Sequence, residues 1–371
     1  MGFVIFCILF LILTSGQTTK AQTIDWNQWN TDTSRKNIAL SELQSGGPPK
    51  DGIPSIDNPK FSGYQSADSW LGDDEPVISY SHDGRHRAYP LQIMIWHEIV
   101  NDRIDDHRFL VSFCPLCNSS LIFDRSLENL TLEFGVSGFL RNSDLVMYDR
   151  QTETLWQQVT GKAIVGQFTG KKLNQLPSQI ISYQQFKEQY PQGKVLSKQT
   201  GYNRDYGSNP YQGYDDVESS PFLYDKTQED NRLKPMERVL TLHHKGETIG
   251  YPFKITRQNK VTHDTVAGEP VVVFHTGGAV SALDNSRISE SREIGSNGVY
   301  SPVLDGRHLQ FDWRSQAITD LSTGSQWTIG GKAVSGELKG AQLTPLTYAN
   351  YFSFALYAFY PEVQLYGQEK N

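Results

Sequence analysis

The chain has 371 residues, 37% of them hydrophobic and 20% charged, with a net charge of −7. That length suits two domains or one large one, with room for a sizeable core. The acidic balance and the lack of a basic block argue against nucleic acid or an anionic membrane surface as partner.

The first feature in chain order is an apolar run, Phe3 to Leu13 in "GFVIFCILFLILTSG", followed by small and polar residues. Thr19 and Ala21 in "TKAQ" stand where a signal peptidase reads its site. Residues 1–21 therefore read as a secretory signal, with the mature chain starting at Gln22. The run is too short to span a bilayer, so no stable membrane insertion is expected once it is cleaved. The usual basic n-region is missing, which leaves an uncleaved anchor as the alternative. The expected location is outside the cytoplasm, periplasmic or extracellular. Residues 22–74 form an N-terminal extension.

From residue 75 onward, short apolar runs such as "RFLVSF" and "PVVVF" sit beside turn signals such as "HDGR" and "HKGE". This pattern predicts a mainly β protein (β-rich α+β) with short helices, among them "YQQFKEQY" and "YANYFSFALYAF". The same stretches disclose an internal repeat. "VISYSHDGRHRAYPL" from Val77 matches "VLTLHHKGETIGYPF" from Val239, keeping His82 over His244, Gly84 over Gly246 and Tyr89-Pro90 over Tyr251-Pro252. Further on, Trp156 falls over Trp327, Gly166 over Gly336 and Gly170 over Gly340. Two tandem, internally duplicated halves are expected, 75–196 and 237–371, joined by a Tyr/Asp/Gly-rich strap at 197–236. The strap is long for a linker, and its tyrosines suggest that it packs over the first half. The retained Gly, Pro and Trp residues read as scaffold.

Two cysteines remain in the mature chain, both in "FCPLCNS" at 113–119. The second half lacks them; its alignment sets His275 opposite Cys114 and Gly278 opposite Cys117, and no imidazole stands opposite His97. A disulfide here would close a loop of about four residues and contribute only about 2 kcal/mol through chain entropy. The leading reading is therefore an exported thiol oxidoreductase. Cys114 and Cys117 would be nucleophile and resolver, His97 an activator, and an unidentified small molecule or protein thiol/disulfide the partner. The alternative is a copper or zinc site made by Cys114, Cys117 and His97. A non-catalytic β-rich binding module with a structural disulfide is the third. The strand character of "NSSLIFDR" after the pair excludes a thioredoxin arrangement, which needs a long helix there. His82 and His244 read as turn residues, and the adjacent His243 and His244 would point to opposite faces of a strand. Asp144 and Asp149 are candidate acid/base carboxylates, although their turn-like context favours backbone capping. No GxSxG, P-loop, HExxH or dinucleotide fingerprint is present.

"YPLQIMIWHEIVND", "CPLCNSSLIFD", "GVSGFLRNSDLVMYDRQTETLWQQVTGKAIVG", "RDYGSNPYQGY" and "RLKPMERVL" together resemble the bacterial family called domain of unknown function 3179, over nearly the whole mature chain. The family brings no established activity. It includes selenocysteine-containing members, and that resemblance implies a redox role for the CPLC pair.

Overall fold

Tight turns set the strand order. Asp83 (φ 46°) and Gly84 (φ 70°) form a two-residue loop in which both residues are left-handed. That geometry matches strand twist, and it pairs Pro76–His82 antiparallel with Arg85–Pro90. Lys245 (φ 47°) and Gly246 (φ 88°) do the same between Arg238–His244 and Glu247–Pro252. The computed structural model describes residues 24–225 and 230–368; the expected signal segment and Cys7 lie outside the described residues.

The described chain is strand-rich, 40% strand against 12% helix, which makes the fold mainly β. After Pro90 comes the helix Leu91–His97, then the antiparallel strands Ile99–Ile104, His107–Cys114 and Ser119–Asp124. A third sheet orders Gln44–Ser45, Phe134–Arg141, Asp144–Asp149, Leu155–Gln157 and Lys162–Val165 side by side. In the second half, Pro252 leads into the helix Phe253–Asn259 and the strands Val261–Val266 and Glu269–Thr276. Local contacts recur as well. The Tyr89 hydroxyl donates to Asp102 at 2.5 Å and that of Tyr251 to Asp264 at 2.8 Å. The Trp156 indole donates to Asp149 at 2.9 Å and that of Trp327 to Asp320 at 3.3 Å.

Strand register corrects one alignment made from sequence. Ile99 pairs with Ser112 and Val261 with Phe274, so Phe113 occupies the place of His275 and Cys114 that of Thr276. The backbone agrees: the amides of Phe113 and His275 bond to the carbonyls of Glu98 and Lys260, at 2.8 and 2.7 Å. One expected helix is also corrected. "YQQFKEQY" forms the helix Tyr183–Gln189, but "YANYF" is a strand, Tyr348–Phe352, and only Ser353–Phe359 is helical. The strand wins there because it pairs with Arg238–His244 along five residues.

The core does not divide at the strap. One apolar cluster joins Cys114, Cys117 and Trp156 to Tyr351, Phe352, Phe354 and Leu356; another joins Ile181 and Phe186 to Phe274 and Trp327. Among the described residues no helix is long and apolar enough to cross a membrane.

Candidate functional site

Cys114 ends the strand His107–Cys114 and pairs with Ser119, leaving Pro115 to Asn118 as a four-residue hairpin loop. Pro115 fixes its own φ, and Asn118 closes the loop in the left-handed region (φ 52°), its amide bonding to the Pro115 carbonyl at 3.2 Å. The loop is clamped from the second half: the Phe352 amide donates to the Cys117 carbonyl at 2.9 Å.

A second tight turn brings in a carboxyl. Asn142 (φ 49°) and Ser143 (φ 64°) reverse the chain so that Asp144 opens the next strand, fully buried. Ligand atoms of Cys114, Cys117 and Asp144 all lie within 4.8 Å of one another. The Cys114 sulfur also approaches the Ser143 carbonyl at 3.9 Å. Asp144 Oδ2 accepts from Gln157 Nε2 (2.6 Å) and from the Val159 amide (3.0 Å), while Oδ1 is buried without a hydrogen-bond partner. Asp144 is thus more than the turn cap expected from sequence. Asp149 does act as one, accepting from the Thr152 amide at 2.7 Å.

Glu98 adds a second buried acid. It follows the helix Leu91–His97 as its left-handed cap (φ 57°), its amide bonding to the Met94 carbonyl at 2.7 Å. Burial raises its carboxyl to about 8, helped by the nearby Asp144 charge, and burial raises Asp144 to about 7. Both thiols are pushed up as well, chiefly by burial and further by Asp144; Cys117 is raised furthest. Both cysteines are free and buried, rather than at the mouth of a pocket as a reactive pair would require.

The expected activator stands elsewhere. His97 bonds through Nδ1 to the Pro54 carbonyl and through Nε2 to the Tyr206 hydroxyl, each at 2.7 Å. Burial lowers it to about 4, so it is neutral and pins the strap to residue 54. The helix cap turns the next residue inward, and Glu98 is the neighbour that bears on Cys114. Replacing His97 with Ala should leave the Tyr206 hydroxyl and the Pro54 carbonyl without this bridge. We expect faster tryptic cleavage at Arg204, read by timed gel electrophoresis.

Strap tyrosines complete the surroundings. Tyr211 and Tyr214 pack on the cluster that holds both cysteines, and Tyr214 meets Phe352 with ring centroids 6.1 Å apart. Burial raises both phenols, with the charges of Glu98 and Cys114 adding to Tyr211 and that of Cys117 to Tyr214. The sequence pointed to the cysteines and the strap, ranked Asp144 as a cap before a functional acid, and missed Glu98. Their signal was an acid set inside an apolar stretch, "WHEIV" and "SDLVMY".

The fold and site define a mainly β protein with a buried pair of thiols and two buried acids. The chain matches the family described as "Protein of unknown function (DUF3179)" across residues 50–363, and it belongs to that family. No curated protein and no solved structure matches it.

Proposed function

We propose that this is an exported metal-binding protein whose ion is held by Cys114, Cys117 and Asp144, with zinc the fitting choice. The observation that carries the reading is the convergence of two sulfurs and a carboxylate oxygen within 4.8 Å, all buried. In the metal-free protein the Asp144 carboxyl is met by protons of the Cys114 and Cys117 thiols, and an ion bound among the three groups would take the place of those protons. Sulfur and oxygen donors together suit a borderline ion. Charge supports a divalent one: two thiolates and a carboxylate leave one net negative charge around Zn(II) but two around Cu(I), and buried net charge is expensive. Three protein ligands leave a fourth position open, the arrangement of zinc sites that take a water or substrate. We read the two halves as copies of one unit, of which only the first keeps the site.

A redox role is the second reading, favoured by two free thiols in one short loop. Against it stands the burial of both sulfurs, 1% or less exposed at residue level, which holds them away from a bulky disulfide partner more than from a small ion.

Anaerobic purification followed by metal analysis and titration with Zn(II) decides between them. We expect one ion per chain, lost in Cys114→Ser and Cys117→Ser and bound more weakly in Asp144→Asn. A parent that takes no ion, yet cycles its thiols reversibly at a potential above about −300 mV, would establish the redox reading instead.

A further inference from the structure

Between Leu196 and Arg238 the described residues form no α-helix and no strand of a sheet. A segment this long without a ladder of its own is held by separate ties. The Tyr206 hydroxyl meets His97 at 2.7 Å and Thr200 at 2.5 Å. The Asn209 amide donates to the Ser286 carbonyl at 2.9 Å, and its side chain donates to the Asn285 carbonyl at 3.0 Å. The Gly213 amide donates to the Asp284 carbonyl at 2.7 Å. Asp215, fully buried, accepts from Arg238 and Ser281 and pairs with Arg292 at 2.8 Å.

Between the Tyr206 tie and the Asp215 tie lie Tyr211 and Tyr214, packed on the cluster that contains Cys114 and Cys117. The sulfurs are 1% or less exposed at residue level. From inside, the CPLC loop is closed by the strand Tyr348–Phe352, which bonds to Arg238–His244 along five residue pairs. Of the two covers, the strand belongs to a continuous ladder and the strap does not. Local opening takes the path with the fewest cooperative bonds, so the strap side opens first.

We propose that the strap from Tyr206 to Asp215 is a gate whose Tyr211 and Tyr214 seal the thiol site, so that its opening sets how fast an ion or a thiol reagent reaches Cys114 and Cys117. This rests on the metal reading for its biological meaning and on the packing alone for its effect on access. A gate has a kinetic signature that a ligand lacks. It speeds arrival and departure equally and leaves the equilibrium constant unchanged.

Two measurements on the full chain test this. In metal-free protein, iodoacetamide labelling of the two thiols is followed by mass spectrometry in the parent, in Tyr211→Ala/Tyr214→Ala and in Tyr211→Phe/Tyr214→Phe. We expect labelling about tenfold faster or more in the alanine pair and near the parent rate in the phenylalanine pair, which keeps the seal. Circular dichroism at the assay temperature identifies any unfolded variant. If the alanine pair unfolds, the single Tyr211→Ala carries the same expectation. Equal labelling rates in parent and alanine variants would overturn the gate whether or not the protein binds metal. In the second measurement, Cd(II) binding and its removal by EDTA are timed through thiolate–metal absorbance. Both rates should rise together in the alanine pair. A faster release with unchanged capture would make the tyrosines part of the metal's binding energy and refute the gate. A parent that labels slowly but never binds Cd(II) would leave the gate standing and remove the metal reading.

Discussion

Asp215→Ala is expected to lower the unfolding free energy by about 3–5 kcal/mol, the usual cost of leaving a buried charge without its partner. The stranded group is Arg238, whose side chain is 8% exposed and whose Nε already lacks a hydrogen-bond partner. Burial is the largest influence on both members of the pair. It pushes Arg238 down in spite of Asp215, whereas Arg238 holds Asp215 below the ordinary carboxylate range in spite of burial. We follow the asymmetry: guanidinium keeps its charge in proteins, so the arginine is what the aspartate must neutralise. A urea titration with an unchanged m-value reads the loss. Asp215→Asn should fall between parent and alanine variant, since it keeps the hydrogen bonds but not the charge. Removing both charges, as Asp215→Leu with Arg238→Met, should be less damaging than Asp215→Ala alone. Arg238→Met alone completes the cycle: if the double variant loses the sum of the two single losses, the pair is not coupled and Arg238 has found water. The sign with pH follows from the lowered carboxyl. The stability it supplies is present above the unfolded value near 4 and is lost as acid protonates it.

What the sequence disclosed and what it hid divide along a physical line. Strand runs, hairpin turns such as Asp83-Gly84, and the CPLC pair are local, because a few neighbouring residues determine them. Asp144 was visible as a candidate acid but not as a neighbour of the thiols, because that depends on which strand the Asn142–Ser143 turn lays beside the hairpin, thirty residues away. Glu98 was hidden by its neighbour. An imidazole beside two thiols is the commoner activator, and only the fold after the left-handed cap shows that Glu98 bears on Cys114 while His97 is taken by Pro54 and Tyr206. The mispairing of Cys114 with His275 has the same origin, since a gap placed one residue early looks equal in sequence but breaks the pairing of Val261 with Phe274. Similarly, "YANYFSFALYAF" shows helical spacing throughout, yet its first half is recruited by a neighbouring strand whose pairing exceeds any local preference.

The metal-free protein should become less stable as pH rises from about 7 to 9, and zinc should reverse that slope. Asp144 and Glu98 are raised by burial to about 7 and about 8, whereas in the unfolded chain they titrate near 4. Below about 6.5 the buried His97, His243 and His275, each lowered to about 4, oppose the acids, because there the unfolded chain holds the extra imidazole protons. Above that pH the histidines are neutral in both states and the acids decide, so the folded state binds more protons and unfolding grows easier with each step up in pH. The thiols, also raised by burial, extend the same trend above their ordinary range. Each such group contributes at most about 1.4 kcal/mol per pH unit, so the two acids together make an effect on the order of a few kcal/mol. Zinc changes the sign because it replaces protons on the same atoms, and its affinity rises as those protons become easier to remove. Thermal melts at constant ionic strength, with EDTA or with excess Zn(II), should thus give curves that diverge toward high pH. Asp144→Asn supplies the control: it should flatten the metal-free curve and reduce the divergence. Parallel curves with and without zinc would show that no proton leaves the site when the ion is added, and the Cys114–Cys117–Asp144 site would have to be abandoned.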